Sequence, residues 1–140
     1  MIKMKLAQEE IITFEKFDNK TAFQFGQKII TQTEDKTPVR IRVYYDGDIV
    51  FQYLENGKKT DEWLNRKQFI VMATGHSSLY VFNHQTDFPA LSKNPQVIHT
   101  GGGYPLYVDS KLKGCFVVSG LEHTQDHQLI VDTLTGMKLN

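Results

Sequence analysis

Cysteine is almost missing from this chain: Cys115 is the only one in 140 residues. A lone thiol excludes an internal disulfide and any zinc site closed by cysteines within the chain, and it suits a reducing cytosol. A surplus of charge is missing too, since Lys plus Arg and Asp plus Glu both number 16. Nucleic-acid binders ordinarily carry a basic excess that displaces counterions from phosphates, so nucleic acid is not an expected partner. No apolar run approaches the roughly 20 residues of a membrane span. The basic opening Met1–Leu6 meets Glu9 and Glu10 before an apolar stretch long enough for a signal peptide develops. The expectation is a cytoplasmic protein without membrane association. Internal repeats and low-complexity segments are also absent. Near-zero net charge leaves little self-repulsion, which permits a homo-oligomer.

What is present is ordinary for a globular protein, with 40% hydrophobic and 23% charged residues. The length suits one domain spanning residues 1–140, enough to bury about 70% of the surface of the unfolded chain. Residues 3–14 read as a short, loosely periodic helix. Asp18 or Asn19 then offers an N-cap for a second helix, in which Ala22, Phe23, Gly26, Ile29 and Ile30 recur at helical spacing. Glu34-Asp35-Lys36-Thr37-Pro38 ends it. Val39–Tyr45 alternates as a strand, Asp46-Gly47 supplies the positive φ angles of a type I′ turn, and Asp48–Leu54 returns.

A longer helix starts at Thr60 or Asp61, with Trp63, Lys67, Ile70, Val71 and Thr74 on one side, and is expected to run past Gly75 to about Phe82. The segment 84–96, with Pro89 and Pro95, reads as a loop of the length that often carries function. Val97–Thr100 is a short strand candidate. Pro105–Asp109 and Cys115–Ser119 form a second hairpin turning at Ser110–Leu112. Residues 122–135 form a last helix with Ile130, Val131 and Leu134 inward. Hairpins in place of βαβ crossovers predict an α+β domain built on an antiparallel sheet.

Several short motifs follow one another in order: Trp63-Leu64-Asn65-Arg66-Lys67, Ser77-Ser78, Gly101-Gly102-Gly103-Tyr104-Pro105, Val118-Ser119-Gly120-Leu121, and Asp126-His127. Taken together they resemble the haem-degrading-domain family, in its GlcG/HbpS-like group, from the second helix onward. The resemblance implies a profilin-like fold, with a five-stranded antiparallel sheet flanked by helices on both faces, and assembly into symmetric oligomers. It also implies haem handling. Two positions depart from the family pattern: Thr100 stands where relatives commonly carry histidine, with His99 one residue earlier, and Glu122 stands where proline is common.

The chemistry-bearing residues each have a structural reading beside a functional one. His123 and His127 lie four apart, so on a helix both face one side and could grip a divalent metal with a third ligand from His99, a carboxylate or another subunit. His127 also shares the stripe of Ile130, Val131 and Leu134, which suits a hydrogen-bonded core histidine. Gly101, Gly102 and Gly103 could form an anion nest, or simply turn the chain into the strand that starts near Tyr104 and Pro105. A strand rather than a helix follows them, so they are not a phosphate-binding loop.

Arg66 and Lys67 are candidates for meeting a carboxylate of a small anionic ligand. On an apolar stripe, Lys67 equally suits an ion pair, with Asp126 as partner. Gly75-His76-Ser77 lacks the second glycine of a nucleophile elbow because Leu79 occupies its place, which argues against a hydrolase. Haem would take an axial histidine from His99, His123 or His127 and an apolar lining such as Tyr104, Phe88 and Phe116. No Cys-x-x-Cys-His attachment motif is present, nor a separate domain for an electron donor. The leading expectation is a small anionic ligand, haem or another tetrapyrrole, held near the glycine turn; the rival is an assembly module without a cofactor.

Overall fold

The computed structural model describes residues 2–137. Strands β1 (Ile2–Leu6) and β2 (Glu9–Thr13) form an antiparallel hairpin, and helix α1 (Asn19–Thr33) follows. Strands β3 (Arg40–Tyr45) and β4 (Asp48–Leu54) form the next hairpin. Helices α2 (Glu62–Thr74), α3 (Ser78–Asn83) and the single turn α4 (Pro89–Ser92) precede β5 (Gly103–Val108), β6 (Lys111–Ser119) and α5 (His123–Gly136). The central sheet is antiparallel in the order β4-β3-β6-β5.

Period-two alternation decides what lies on each face of the sheet. Ile41, Val43, Phe116 and Val118 point to one face, where they join Phe25 and Ile29 of α1 and Ile130 and Leu134 of α5 in the main core. Cys115 and Val117 point to the other face and meet Leu64 and Val71 of α2. Phe116 is the hub of the aromatic packing, with its ring centroid 4.6 Å from Phe25 and 5.9 Å from both Phe14 and Phe17.

The sheet differs from the expected single five-stranded one. It has four strands, and the two-stranded β1–β2 sheet touches it at the bridge between Phe14 and Val108. There Phe14 N–H donates to Tyr107 O (3.0 Å) and Asp109 N–H donates to Phe14 O (2.9 Å). Pairing goes no further because the chain leaves the sheet edge after Phe14 to insert Phe17 into the core and reach the Asp18 cap of α1.

Residues 3–14 are this hairpin rather than a helix. Ile11, Ile12, Thr13 and Phe14 are buried in succession, which no helical stripe allows, and three of them are β-branched. Ala7, at φ 55°, makes the reversal. The long central helix also ends earlier than expected. Gly75 takes a left-handed φ of 77° and returns its N–H to Val71 O (2.7 Å), after which Ser77 caps α3 through Tyr80 N–H (3.1 Å). Within 84–96 the chain forms a 3₁₀ turn (Gln85–Asp87) and α4, and Val97–Thr100 pairs with no strand among the described residues.

Both central-sheet hairpins turn on two residues with positive φ. Asp46 and Gly47 are as expected, whereas the second turn is Asp109-Ser110, earlier than the expected Ser110–Leu112. On the helices, Phe25 replaces Phe23 and Leu64 replaces Trp63 on the buried faces. Val131 is only half-buried. The α1 assignment has a direct test by urea denaturation. Phe25→Ala is expected to lower the unfolding free energy by about 3–5 kcal/mol, and Phe23→Ala, at a residue 52% exposed, by less than about 1 kcal/mol.

Candidate functional site

Consecutive residues on a helix diverge by about 100°, so Arg66 and Lys67 of α2 point to different surroundings. Lys67 turns inward and is 2% exposed. Its ammonium donates to Asp126 Oδ2 (3.0 Å) and to Val118 O (2.9 Å), which joins α2 to α5 and to the end of β6. Asp126 also accepts from Leu121 N–H through Oδ1 (2.9 Å), so the carboxylate holds the loop that leads into its own helix. Burial pushes the Asp126 carboxyl up and the Lys67 ammonium down, and their attraction for each other opposes both shifts. Arg66 turns outward, pairs with Glu62 one turn earlier, and lies 4.9 Å over the Trp63 ring.

The glycine turn is packed into this arrangement. Gly102 has φ 118°, and a Cβ there would fall 2.5 Å from both Lys67 Nζ and Val118 O. Gly101 N–H donates to His123 Nδ1 (2.8 Å), and Gly103 N–H donates to Ser78 Oγ (2.9 Å). Two of the three N–H groups of the expected anion nest therefore serve the fold. Because His123 Nδ1 accepts, its proton sits on Nε2, 3.4 Å from Glu122 Oε1. Tyr104 is buried, and its hydroxyl accepts from Ile12 N–H (2.8 Å). Burial pushes that hydroxyl to about 12.

The three candidate metal histidines do not assemble into a site. Among the described residues no group of three or more His, Cys, Asp or Glu side chains could hold a metal ion. His123 is engaged with Gly101, whereas His127 lies near Tyr104, ring centroids 5.9 Å apart. His99 is separate, and both of its ring nitrogens are buried without a hydrogen-bond partner among the described residues. His127 shares that condition at Nδ1, so the expected hydrogen-bonded core histidine is only half-buried and lacks a partner for that atom. Phe116 sits fully in the core and Phe88 packs beside His76 and Tyr80, so neither joins the glycine turn as a pocket lining.

A cleft of about 300 Å³ opens where Arg66 and Phe69 of α2 face Asn94, Val97 and Ile98, immediately before His99. Sequence reasoning did not find it, because it needs the 84–98 segment to fold back onto α2. A Glu9 clamp was missed as well. Glu9 accepts from Ser77 N–H (3.0 Å), Ser77 O–H (2.5 Å) and His76 Nδ1–H (3.0 Å), which pins β2 to the α2–α3 junction. The Ser77 cap was readable locally, but its carboxylate partner lies 68 residues away.

The family model for the haem degrading protein HbpS-like family matches residues 17–135. The chain belongs to that family. A UPF0303 protein of Psychromonas ingrahamii is 33% identical over 147 residues, covering 94% of this chain and 89% of that protein. Among solved structures, the Ybr137w protein superposes with a TM-score of 0.75 at 24% identity, over 87% of this chain and 78% of its own. PduOC, solved as a haem complex, superposes with a TM-score of 0.68 at 16% identity, over 92% and 98% of the two chains. At these identities the two structures establish the fold, and the family assignment rests on the sequence match.

Two outcomes test the geometry. Lys67→Met strands the Asp126 carboxylate in the interior and is expected to cost about 3–5 kcal/mol in urea unfolding. Adding Asp126→Leu recovers only part of this, because Leu121 N–H then lacks its acceptor. His127 is held below its ordinary 6.5 by burial, so on acidification the unfolded chain takes up this proton first. The stability it contributes is present above about pH 6.5 and is lost as pH falls through the native value. His127→Gln should therefore lose less stability than the wild type between about pH 7 and pH 5, measured by the same unfolding assay.

Proposed function

We propose that the protein binds haem or a related tetrapyrrole carboxylate as a homo-oligomer, with His99 toward the iron and Arg66 toward a propionate. The observation that carries this reading is His99. A neutral imidazole has one donor and one acceptor, and leaving both buried and unmet is costly unless something beyond the described residues meets them. The cleft lined by the residues that directly precede His99 in sequence has complementary chemistry: Phe69, Val97 and Ile98 for an apolar ring and the Arg66 guanidinium for a carboxylate.

A free divalent metal fits less well, since it needs several protein ligands in one place and the described residues bring none together. Haem iron needs only one or two ligands from the protein because the macrocycle supplies the other four. When bound, the haem supplies a redox-active iron; this chain's residues bind and orient it. Family membership and the haem complex of PduOC support the choice of ligand. The cleft is smaller than a whole macrocycle, and Phe69 is 53% exposed, so a second copy of the chain is the natural cover for the remaining ring face.

Titration with hemin, followed in the Soret band, tests this reading. A saturable shift is expected in the wild type, lost in His99→Ala, weakened severalfold in Arg66→Glu and retained in His123→Ala. No saturable shift in the wild type would sink it. The assembly reading would then stand, in which Phe69 and Ile98 form a subunit contact. It predicts a stable oligomer by light scattering that Phe69→Ser dissociates without added ligand.

A further inference from the structure

A second cavity, of about 190 Å³, lies between the β1–β2 hairpin and α5, with Glu9, Glu10 and Ile12 on one wall and Tyr104, His127 and Val131 on the other. We propose that it is a binding site for a small uncharged molecule bearing a carbonyl oxygen, held by the Tyr104 hydroxyl and the His127 imidazole. The site is independent of the haem reading and uses neither His99 nor Arg66.

The argument begins with protons. The Tyr104 hydroxyl accepts from Ile12 N–H, and its own proton has no acceptor among the described residues. Its high pKa keeps that proton in place across the physiological range. His127 is neutral because burial disfavours its charged form, so one ring nitrogen carries a proton and the other does not. Nδ1 is buried and unpartnered. A buried N–H left without an acceptor loses its hydrogen bond outright and is costly. We assign the proton to Nε2, which leaves no unmet N–H at the buried Nδ1. The Tyr104 O–H and the His127 N–H then have no acceptor among the described residues, and both side chains line this cavity.

The charges around the cavity choose between acceptors. Glu9 is already committed to Ser77 and His76, and Glu10 pairs with Lys3 at 3.3 Å. The lining carries Lys3 against two glutamates, an excess of negative charge that repels a carboxylate or phosphate. A neutral carbonyl oxygen takes both donors without that penalty, and Ile12 and Val131 receive the apolar part of the molecule. The volume corresponds to roughly six waters at about 30 Å³ each, enough for a ligand of a few heavy atoms.

Acetamide is the probe and acetate its charged counterpart of the same shape. The readout is the ring-nitrogen resonances of His127 in the full-length protein by NMR. Acetamide is expected to shift them saturably with a Kd in the millimolar range open to so small a ligand. Acetate should bind at least about tenfold more weakly. Tyr104→Phe should weaken acetamide binding, and Thr135→Trp, at an exposed position on the cavity rim, should abolish it while leaving the fold untouched. His127 resonances that ignore acetamide up to about 200 mM would mean the cavity holds water only and would overturn the proposal. Equal binding of acetate, or unchanged binding in Thr135→Trp, would also overturn it.

Discussion

The ion pair between Lys67 and Asp126 is the constraint on which the arrangement of this molecule depends. Lys67 comes from the helix on one face of the sheet and Asp126 from a helix on the opposite face, and they meet at the end of β6 beside Val118 O. Each charge is tolerable in the interior only because of the other, so the two helices cannot shift independently without leaving one unpaired. The glycine turn follows from the same fact. The chain passes so close over Lys67 Nζ that Gly102 has no room for a Cβ, and Gly101 and Gly103 are tied down on either side by His123 and Ser78. A stretch that looks like a loop for gripping an anion is therefore a lid closed over an internal salt bridge.

Buried polar groups elsewhere show how completely this chain meets its own needs. Arg42, almost wholly enclosed, donates to Gln52, Asn65, Gln68 and Asp61. Glu55 accepts from Val39 N–H and Thr33 O–H. Against that background, the buried nitrogens of His99 and His127 stand apart, because they are the buried side-chain polar atoms left without partners among the described residues. Folding alone accounts for Arg42, Glu55 and Asp126. The two histidines direct attention outward: His127 lines the cavity under the N-terminal hairpin, and His99 directly follows in sequence the residues that line the cleft beside α2.

Local chemistry made parts of this arrangement legible. Asp46-Gly47 between alternating strands and Asp18 before an amphipathic stretch each carry their own geometry, and both stand where expected. The pairing of Lys67 with Asp126 was also readable as one of two alternatives, since a lysine on an apolar stripe needs a partner. Helical phase was less legible. Phe23 and Phe25, like Trp63 and Leu64, are near neighbours of similar hydrophobicity, and only the position of the sheet beneath decides which one is covered. The N-terminal hairpin shows no single period, because Ile11–Phe14 is buried by several elements at once.

The sequence by itself determined the family, the central hairpins and the cap of α1, because these rest on residue types and spacings within a few positions of each other. Tertiary structure alone decided which histidines meet. His123 is spent on Gly101, His127 lies near Tyr104, and both ring nitrogens of His99 are left without a partner among the described residues. The reason is geometric: their surroundings are set by Lys67 drawing α5 and the glycine turn together across 59 residues of sequence, a contact no local pattern encodes.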